Sequence, residues 1–332
     1  MNRWSIRLGL AAVILMALPY RSPAPLIYTP GEGWTYESVG EPSGNWRRTK
    51  ALAQLVVAQD AFDRKDYSLA LNAARRTVTL WPLSDYAPQA QYLIGRCYEA
   101  NKHDEKAFDE YQKIFTQYPR YPNYEDVLGR EYEISGRFLA GQWFRLWNLI
   151  PLYPSMEKTA ALYAKVVKNG PYSSVGPQAQ MKIGAAREKQ KNYAEAVKAY
   201  ERAADRYNDR PQIAADALYR AGIAYQKQAQ TAEYDQGMAG KAMATFEEFK
   251  TLYPDDPRVP GVEKIETALR IEQKRGNFVI AQYYESQKKW EGAKVYYNAV
   301  LANNDPDPNS SYSVQARERI AAINRQHPAT VQ

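Results

Sequence analysis

Along most of the chain, small and aromatic residues recur every three or four positions with polar residues between them. In NYAEAVKAYERAADRYNDRP, residues 192 to 211, Ala194, Ala196, Ala199 and Ala203 interleave with Tyr193, Tyr200 and Tyr207. A helical period gathers such positions into one apolar stripe. The stripe is too narrow to make a core alone, so the helix must pack on others written in the same way.

Those others are present. LIGRCYEANKHDEKAFDEYQKIFTQYP holds a full frame in Gly95, Tyr98, Ala107, Tyr111, Ile114 and Pro119. Small residues stand where two helices approach closely, aromatics fill the gaps, and proline stops the second helix. This is the pattern of the tetratricopeptide repeat, a helix-turn-helix unit of ~34 residues. An earlier copy has Ala58, Ala61, Ala70, Ala74, Thr77 and Pro82. A later one has Gly184, Ala196, Tyr200 and Ala203. The next begins with Gly222 and Tyr225 and resumes at Ala242, Phe246, Phe249 and Pro254, so TAEYDQGMAG reads as a lengthened turn between its helices. The last has Ala281, Tyr284, Ala293, Tyr297 and Val300. A degenerate unit starts at Gly129 and Tyr132, with its second helix displaced to Tyr163, Val166 and Pro171. The expected fold is all-α, a tetratricopeptide-repeat superhelix (an α-solenoid) of five to six units, because each unit buries its stripe only by stacking on the next.

This frame divides the chain. Residues 47–122 hold repeats one and two, 123–176 the degenerate third with its insertion, and 177–309 repeats four to six. Residues 310–325 form a helix behind a serine-rich cap, with Arg317 and Arg319 giving it a polar outer side that closes the array. Residues 326–332 are a tail expected to fray. Residues 136–154, GRFLAGQWFRLWNLIPLYP, depart from the frame. Leu139, Trp143, Leu146 and Ile150 share a helical face that Phe144, Trp147 and Leu149 broaden. Two readings stand: added core for repeat three, or a surface aromatic helix that docks a partner or lies on a membrane.

The start of the chain is of another kind. In residues 1–24, Arg3 and Arg7 precede an apolar run from Leu8 to Leu18, too short for an ordinary membrane span. Ser22, Pro23 and Ala24 then offer small residues for cleavage. This is the layout of a secretory signal. Pro25 is a poor context for cleavage, so an uncleaved anchor stands beside the cleaved form, and either exports the body. Residues 25–46, rich in Pro, Gly and aromatics, argue against a helix. They read as an extended arm pinned by Trp34, Tyr36 and Trp46, or as a free linker.

Composition narrows the chemistry. The net charge of +7 owes three units to Arg3, Arg7 and Arg21; elsewhere Lys and Arg alternate with Asp and Glu rather than forming the basic stripe of a nucleic-acid reader. The one cysteine, Cys97, lies within a helical pattern as a small buried hydrophobe. The two histidines, His103 and His327, have no second ligand at metal-binding spacing. There is no G-x-S-x-G, P-loop or G-x-G-x-x-G motif, and acid pairs such as Glu247 and Glu248 fall on exposed helix positions. The sequence points to a non-enzymatic protein without metal or cofactor. An envelope hydrolase with a helical body is the reading this disfavours.

Such arrays offer a concave groove lined by the first helix of each repeat. The groove-facing positions are Gln59 and Asp63 in repeat one, Tyr92, Arg96 and Glu99 in repeat two, and Arg130 and Glu133 in repeat three. Arginine and tyrosine in that lining suit an extended peptide, with the guanidinium on its carboxylate or carbonyls. The alternative is a hydrated surface with scattered ion pairs.

The export signal, the array and its ordered insertions resemble the BamD-type outer-membrane assembly family of Gram-negative bacteria, over roughly residues 47 to 325. The likeness is sharpest in AEYDQGMAGKAMATFEEFKTLYPDDP, and in the long helix that follows and runs into Ala281, Tyr283 and Tyr284, with Trp290 and Ala293 opening the next. The resemblance implies a periplasmic protein peripheral to the outer membrane. Its C-terminal repeats would bind the periplasmic domains of a BamA-like β-barrel assembly subunit, here through Tyr283, Tyr284, Trp290 and Tyr296. Its N-terminal repeats would receive unfolded outer-membrane proteins by an aromatic C-terminal signal. Two departures matter. The lipid-bearing cysteine usual in the family does not follow the apolar run, and an arginine that many members place on the last repeat is here Tyr296. The alternative keeps the fold and makes the chain a periplasmic scaffold for cell-envelope or peptidoglycan processes.

Overall fold

The computed structural model describes residues 26–29, 33–36, 46–146, 150–231, 236–301 and 307–327. Thirteen helices run through these: α1 Ala51–Asp63, α2 Tyr67–Leu80, α3 Ala87–Ala100, α4 Asp104–Gln117, α5 Tyr124–Leu139, α6 Met156–Asn169, α7 Gly176–Lys189, α8 Tyr193–Arg206, α9 Pro211–Thr231, α10 Gln236–Leu252, α11 Val259–Ser286, α12 Trp290–Val300 and α13 Ser311–Gln326. Two short antiparallel or paired ribbons accompany them: β1 Leu26–Thr29 with β2 Gly33–Tyr36, and β3 Phe144–Leu146 with β4 Ile150–Tyr153. The helices pair as α1–α2, α3–α4, α7–α8, α9–α10 and α11–α12, with α5 and α6 forming the interrupted unit. The chain divides into two compact units, residues 1–127 with 144–152, and residues 128–143 with 153–332. The signal-like residues 1–24 lie outside the described residues.

The close-approach positions are filled by the residues the pattern requires. A Cβ on Gly95 would meet the Tyr111 ring at 2.2 Å, one on Gly184 the Tyr200 ring at 2.4 Å, and one on Gly222 the Phe246 ring at 2.4 Å. Only hydrogen fits there. Ala58, Ala61, Ala70, Ala74, Ala107, Ala196, Ala203, Ala242, Ala281 and Ala293 are all buried. In the interrupted unit the contact moves: Gly129 has nothing near it, whereas Gly136 faces the Tyr163 hydroxyl and Tyr132 packs edge-on against Tyr163, ring centroids 5.6 Å apart.

One turn recurs between the helices of four pairs. Lys65, Lys102, Lys191 and Lys288 all take a left-handed backbone. In each, the lysine N–H bonds back three residues and the next N–H bonds back five, as in Lys102 to the Glu99 carbonyl at 2.9 Å and His103 to the Tyr98 carbonyl at 2.9 Å. This closes the helix carbonyls in a Schellman arrangement. Helix α5 ends on the same two bonds, with Gly141 at φ +110° in the lysine's place. The chain then enters β3 instead of a second helix.

That departure corrects the aromatic helix expected over 136–154. The segment is the end of α5, a turn, and the β3–β4 ribbon. Gly141 reverses the backbone at φ +110°, and Pro151 has no N–H to give a helix continued through the segment. Trp143 is 53% exposed, Phe144 is buried, and Trp147 lies outside the described residues. The turn expected over TAEYDQGMAG is also corrected. Helix α9 continues to Thr231 and α10 begins at Gln236, so the insertion lengthens both helices.

The arm before α1 is extended, as its composition requires. In β1–β2, Leu26 pairs with Tyr36 and Thr29 with Gly33. Trp46 packs on the cluster of Leu55, Ala58 and Ala61. Buried Gln54 fixes it there, donating to the Trp46 carbonyl at 3.3 Å and accepting from the Arg48 N–H at 2.7 Å. The side chains of Trp34 and Tyr36 lie outside the described residues. At the other end, buried Lys274 of α11 holds the start of α13, donating to the Asp307 carbonyl and to the Ser310 and Ser313 hydroxyls at 2.8–2.9 Å. Ser310 caps α13 by accepting from the Ser313 N–H.

Candidate functional site

In the first unit, α3 presents Tyr92, Arg96 and Glu99 on one face, since four- and three-residue steps return to the same side of a helix. Their neighbours come from α1, α4 and the start of α5. The Arg96 guanidinium sits 5.3 Å from the centre of the Phe62 ring of α1 and 5.8 Å from that of Tyr92. It also donates to the Tyr92 hydroxyl at 3.3 Å. That hydroxyl in turn donates to the Asp126 carboxylate. Tyr92 packs on Tyr111 and Tyr121, with ring centroids 5.7 and 6.3 Å away. Burial, its largest cause, raises the Tyr121 hydroxyl above its ordinary pKa. The result is a guanidinium held between aromatic faces, with no carboxylate among the described residues within ion-pair distance. A planar cation so placed keeps donors for a carboxylate or carbonyl of a bound chain.

Glu99 plays a different part from Arg96. It accepts from the Tyr111 hydroxyl at 2.9 Å, tying α3 to α4. Gln59 and Asp63 are exposed on α1. Arg130, half-buried, and Glu133, exposed, lie on the portion of α5 that belongs to the second unit. Cys97, on the opposite side of α3, is fully buried, and burial pushes its thiol up to about 12. It packs as a small hydrophobe.

In the second unit, the four aromatics singled out on the last repeat have separate roles. Tyr284 stacks on Tyr296, centroids 5.3 Å apart and planes 23° apart, and the Tyr284 ring covers Gly292. Both pack against the core formed by Phe278, Ala281, Ala293 and Tyr297. Trp290 is stacked on His327 at 4.2 Å. His327, in the tail where fraying was expected, is thus held against α12. Tyr283 alone of the four presents most of its ring, at 63% exposure.

The sequence reasoning missed a bond that recurs in three repeats. Tyr111 donates to Glu99, Tyr200 to Glu188 at 2.8 Å, and Tyr297 to Glu285 at 2.6 Å. Each joins the second helix of a pair to the end of the first. Two of the carboxylates also bind a cation from the next helix: Lys227 of α9 reaches Glu188 at 3.1 Å, and Arg319 of α13 forks onto Glu285. Arg319 therefore faces α11, not the outer side expected of a cap, while Arg317 donates to the Pro308 carbonyl at 2.7 Å. Burial, and then the carboxylate, pushes the Tyr297 hydroxyl up to about 12 and raises Tyr200 as well. The constant separation of glutamate and tyrosine along the chain was the available signal.

No group of three or more His, Cys, Asp or Glu among the described residues could hold a metal ion. No helix among them is long and apolar enough to cross a membrane.

Residues 57–122 and 159–211 match one tetratricopeptide-repeat model, and residues 216–256 match a second. Solved structures similar to this chain include the C-terminal part of a TPR repeat-containing protein from Cytophaga hutchinsonii, 14% identical over 80% of this chain and 87% of that one, with a TM-score of 0.36. YrrB, described as a TPR protein with an unusual peptide-binding site, is 14% identical over 65% of this chain and 92% of its own, TM-score 0.34. PilW, a widely conserved type IV pilus biogenesis factor, is 14% identical over 80% and 98%, TM-score 0.27. No curated protein sequence matches the chain. The matched repeats and the paired helices make this an all-α tetratricopeptide-repeat solenoid, a scaffold for protein–protein interaction.

Proposed function

We propose that the chain is a non-enzymatic periplasmic component of the outer-membrane β-barrel assembly machinery. In this reading it is exported by its N-terminal signal, binds the barrel-forming subunit through its last repeats, and receives segments of unfolded outer-membrane proteins in its first unit. The observation that carries the peptide-receiving role is Arg96, clasped by Phe62 and Tyr92 and without a carboxylate partner among the described residues. An aromatic residue followed by a terminal carboxylate would meet rings and a guanidinium together. On the last repeat, exposed Tyr283 beside the Tyr284–Tyr296 stack would supply an aromatic contact, with Tyr296 at the position where many members of the resembled family carry arginine.

The test is affinity purification from detergent-solubilised envelopes with a tag on the C-terminus, read by mass spectrometry. Recovery of a β-barrel assembly subunit in near-stoichiometric amount is the expected result. Peptidoglycan synthases or division proteins in its place would move the chain to an envelope scaffold with the same fold.

A further inference from the structure

We infer that the end of the second unit carries a separate recognition pocket, one that takes an extended polypeptide segment bearing a basic side chain. Helices α11, α12 and α13 line an open cleft of about 720 Å³. Phe278 and Trp290 give it an aromatic wall, and the Glu285–Arg319 pair, braced by the Tyr297 hydroxyl, lies against it. The remaining lining includes Gln282 of α11 and Gln315 and Glu318 of α13. None of these three makes a hydrogen bond or ion pair among the described residues.

That chemistry selects the occupant. Sites for apolar small molecules are lined mainly by hydrophobic groups with few polar ones; here amides and charges dominate. An amide side chain offers a donor and an acceptor together, which is what an extended backbone presents in return. Arg319 is neutralised by Glu285, so the carboxylate of Glu318 leaves the cavity with an excess negative charge. A lysine or arginine on the incoming segment answers it. Arg319 and Glu285 hold the two walls at fixed spacing, and the His327 stack covers one face of Trp290, so the pocket is built before the ligand arrives. The site is confined to the second unit and does not depend on which machinery the chain serves.

The test uses the full chain and a fluorescein-labelled probe, acetyl-Ser-Arg-Thr-Arg-Ser-amide, with acetyl-Ser-Glu-Thr-Glu-Ser-amide as its counterpart, read by anisotropy at low salt. The basic peptide is expected to bind and the acidic one to bind at least about tenfold more weakly. Glu318→Lys should weaken the basic peptide about tenfold or more, and Gln282→Ala by a smaller factor, with the urea midpoint of each variant unchanged. Arg96→Ala should leave this binding intact, which separates the pocket from the first-unit groove. Equal affinity for the two peptides, no binding of either, or indifference to Glu318→Lys at an unchanged midpoint would overturn the proposal. Binding seen only after removal of residues 328–332 would overturn it too, and would assign the cavity to the chain's own tail.

Discussion

Two arginines, one in each unit, stand in opposite chemical states. Arg96 lies against the Phe62 and Tyr92 rings and has no carboxylate among the described residues within ion-pair distance; Arg319 forks onto Glu285. Both stand beside the same repeat device, a tyrosine hydroxyl on the carboxylate that ends the first helix, Tyr111 on Glu99 and Tyr297 on Glu285. In one place the device leaves a cation available for a ligand, and in the other it consumes one to lock a terminal helix. A groove arginine therefore says little until its partner is known.

The device can be broken hardest at its ring. Tyr297 is fully buried and packs on Phe278 at 5.6 Å. Tyr297→Ala should cost about 3–5 kcal/mol, the range for emptying a large aromatic site. Tyr297→Phe keeps the ring and removes only a hydrogen bond to a charged group, about 1.5–3 kcal/mol. Urea unfolding of the two variants separates packing from the hydroxyl. Equal losses would mean that the bond to Glu285 carries the stability and the ring little.

Arg96→Ala tests the other side of the comparison. The guanidinium makes one hydrogen bond to a neutral hydroxyl and two ring contacts, so its removal should move the unfolding midpoint little. Loss of a charge-assisted bond to a peptide carboxylate is worth about 1.5–3 kcal/mol, or roughly tenfold or more in affinity. Titration with an aromatic-ended peptide, free acid against amide, reads this directly. If the free acid binds Arg96→Ala as tightly as the parent chain, Arg96 leaves the site.

Much of this architecture was legible because close approach restricts residue type. Gly95, Gly184 and Gly222 admit no Cβ against the rings of Tyr111, Tyr200 and Phe246, so the repeats announce themselves in sequence. The aromatic segment after α5 was not legible for the opposite reason. Leu139, Trp143, Leu146 and Ile150 fit a helical period, yet a short apolar run satisfies strand and helix alike, and Gly141 decides between them by a backbone angle that the period does not record. The insertion before α10 reads as a turn from the gap it opens in the repeat frame, but neighbouring helices extend into it. The C-terminal cavity was invisible because Gln282, Gln315 and Glu318 are ordinary exposed helix residues until α11 and α13 face each other. Arg96 is picked out as groove-facing by its position in the repeat, but its aromatic clasp with Phe62 required the fold.

Alkaline pH should act on the tyrosine device at Tyr200 and Tyr297. The Tyr297 hydroxyl is pushed up to about 12 and Tyr200 is raised as well, both chiefly by burial, while an exposed phenol in the unfolded chain titrates near 10. The folded state then holds protons that the unfolded state has released. Stability is fully present below about pH 10 and falls as pH rises toward the folded value near 12. Tyr200→Phe and Tyr297→Phe should each flatten that fall, as read from urea midpoints across the range. Parallel curves for the parent and both variants would place the alkaline loss elsewhere.

The smallest effect belongs to Arg319 itself. Its side chain is 53% exposed although Glu285 is only 14% exposed, so solvent screens the pair from one side. Arg319→Ala should cost about 0.2–1 kcal/mol, the range of exposed ion pairs, far less than Tyr297→Ala at the other end of the same carboxylate. Its effect should shrink further as salt rises. The last helix would remain docked, because Lys274 still holds its first turn through Asp307, Ser310 and Ser313. Hydrogen exchange on α13 distinguishes the two anchors: Arg319→Ala should speed exchange only around its own turn. Loss of protection along the whole helix would show instead that the fork on Glu285, and not the buried lysine, keeps the array closed.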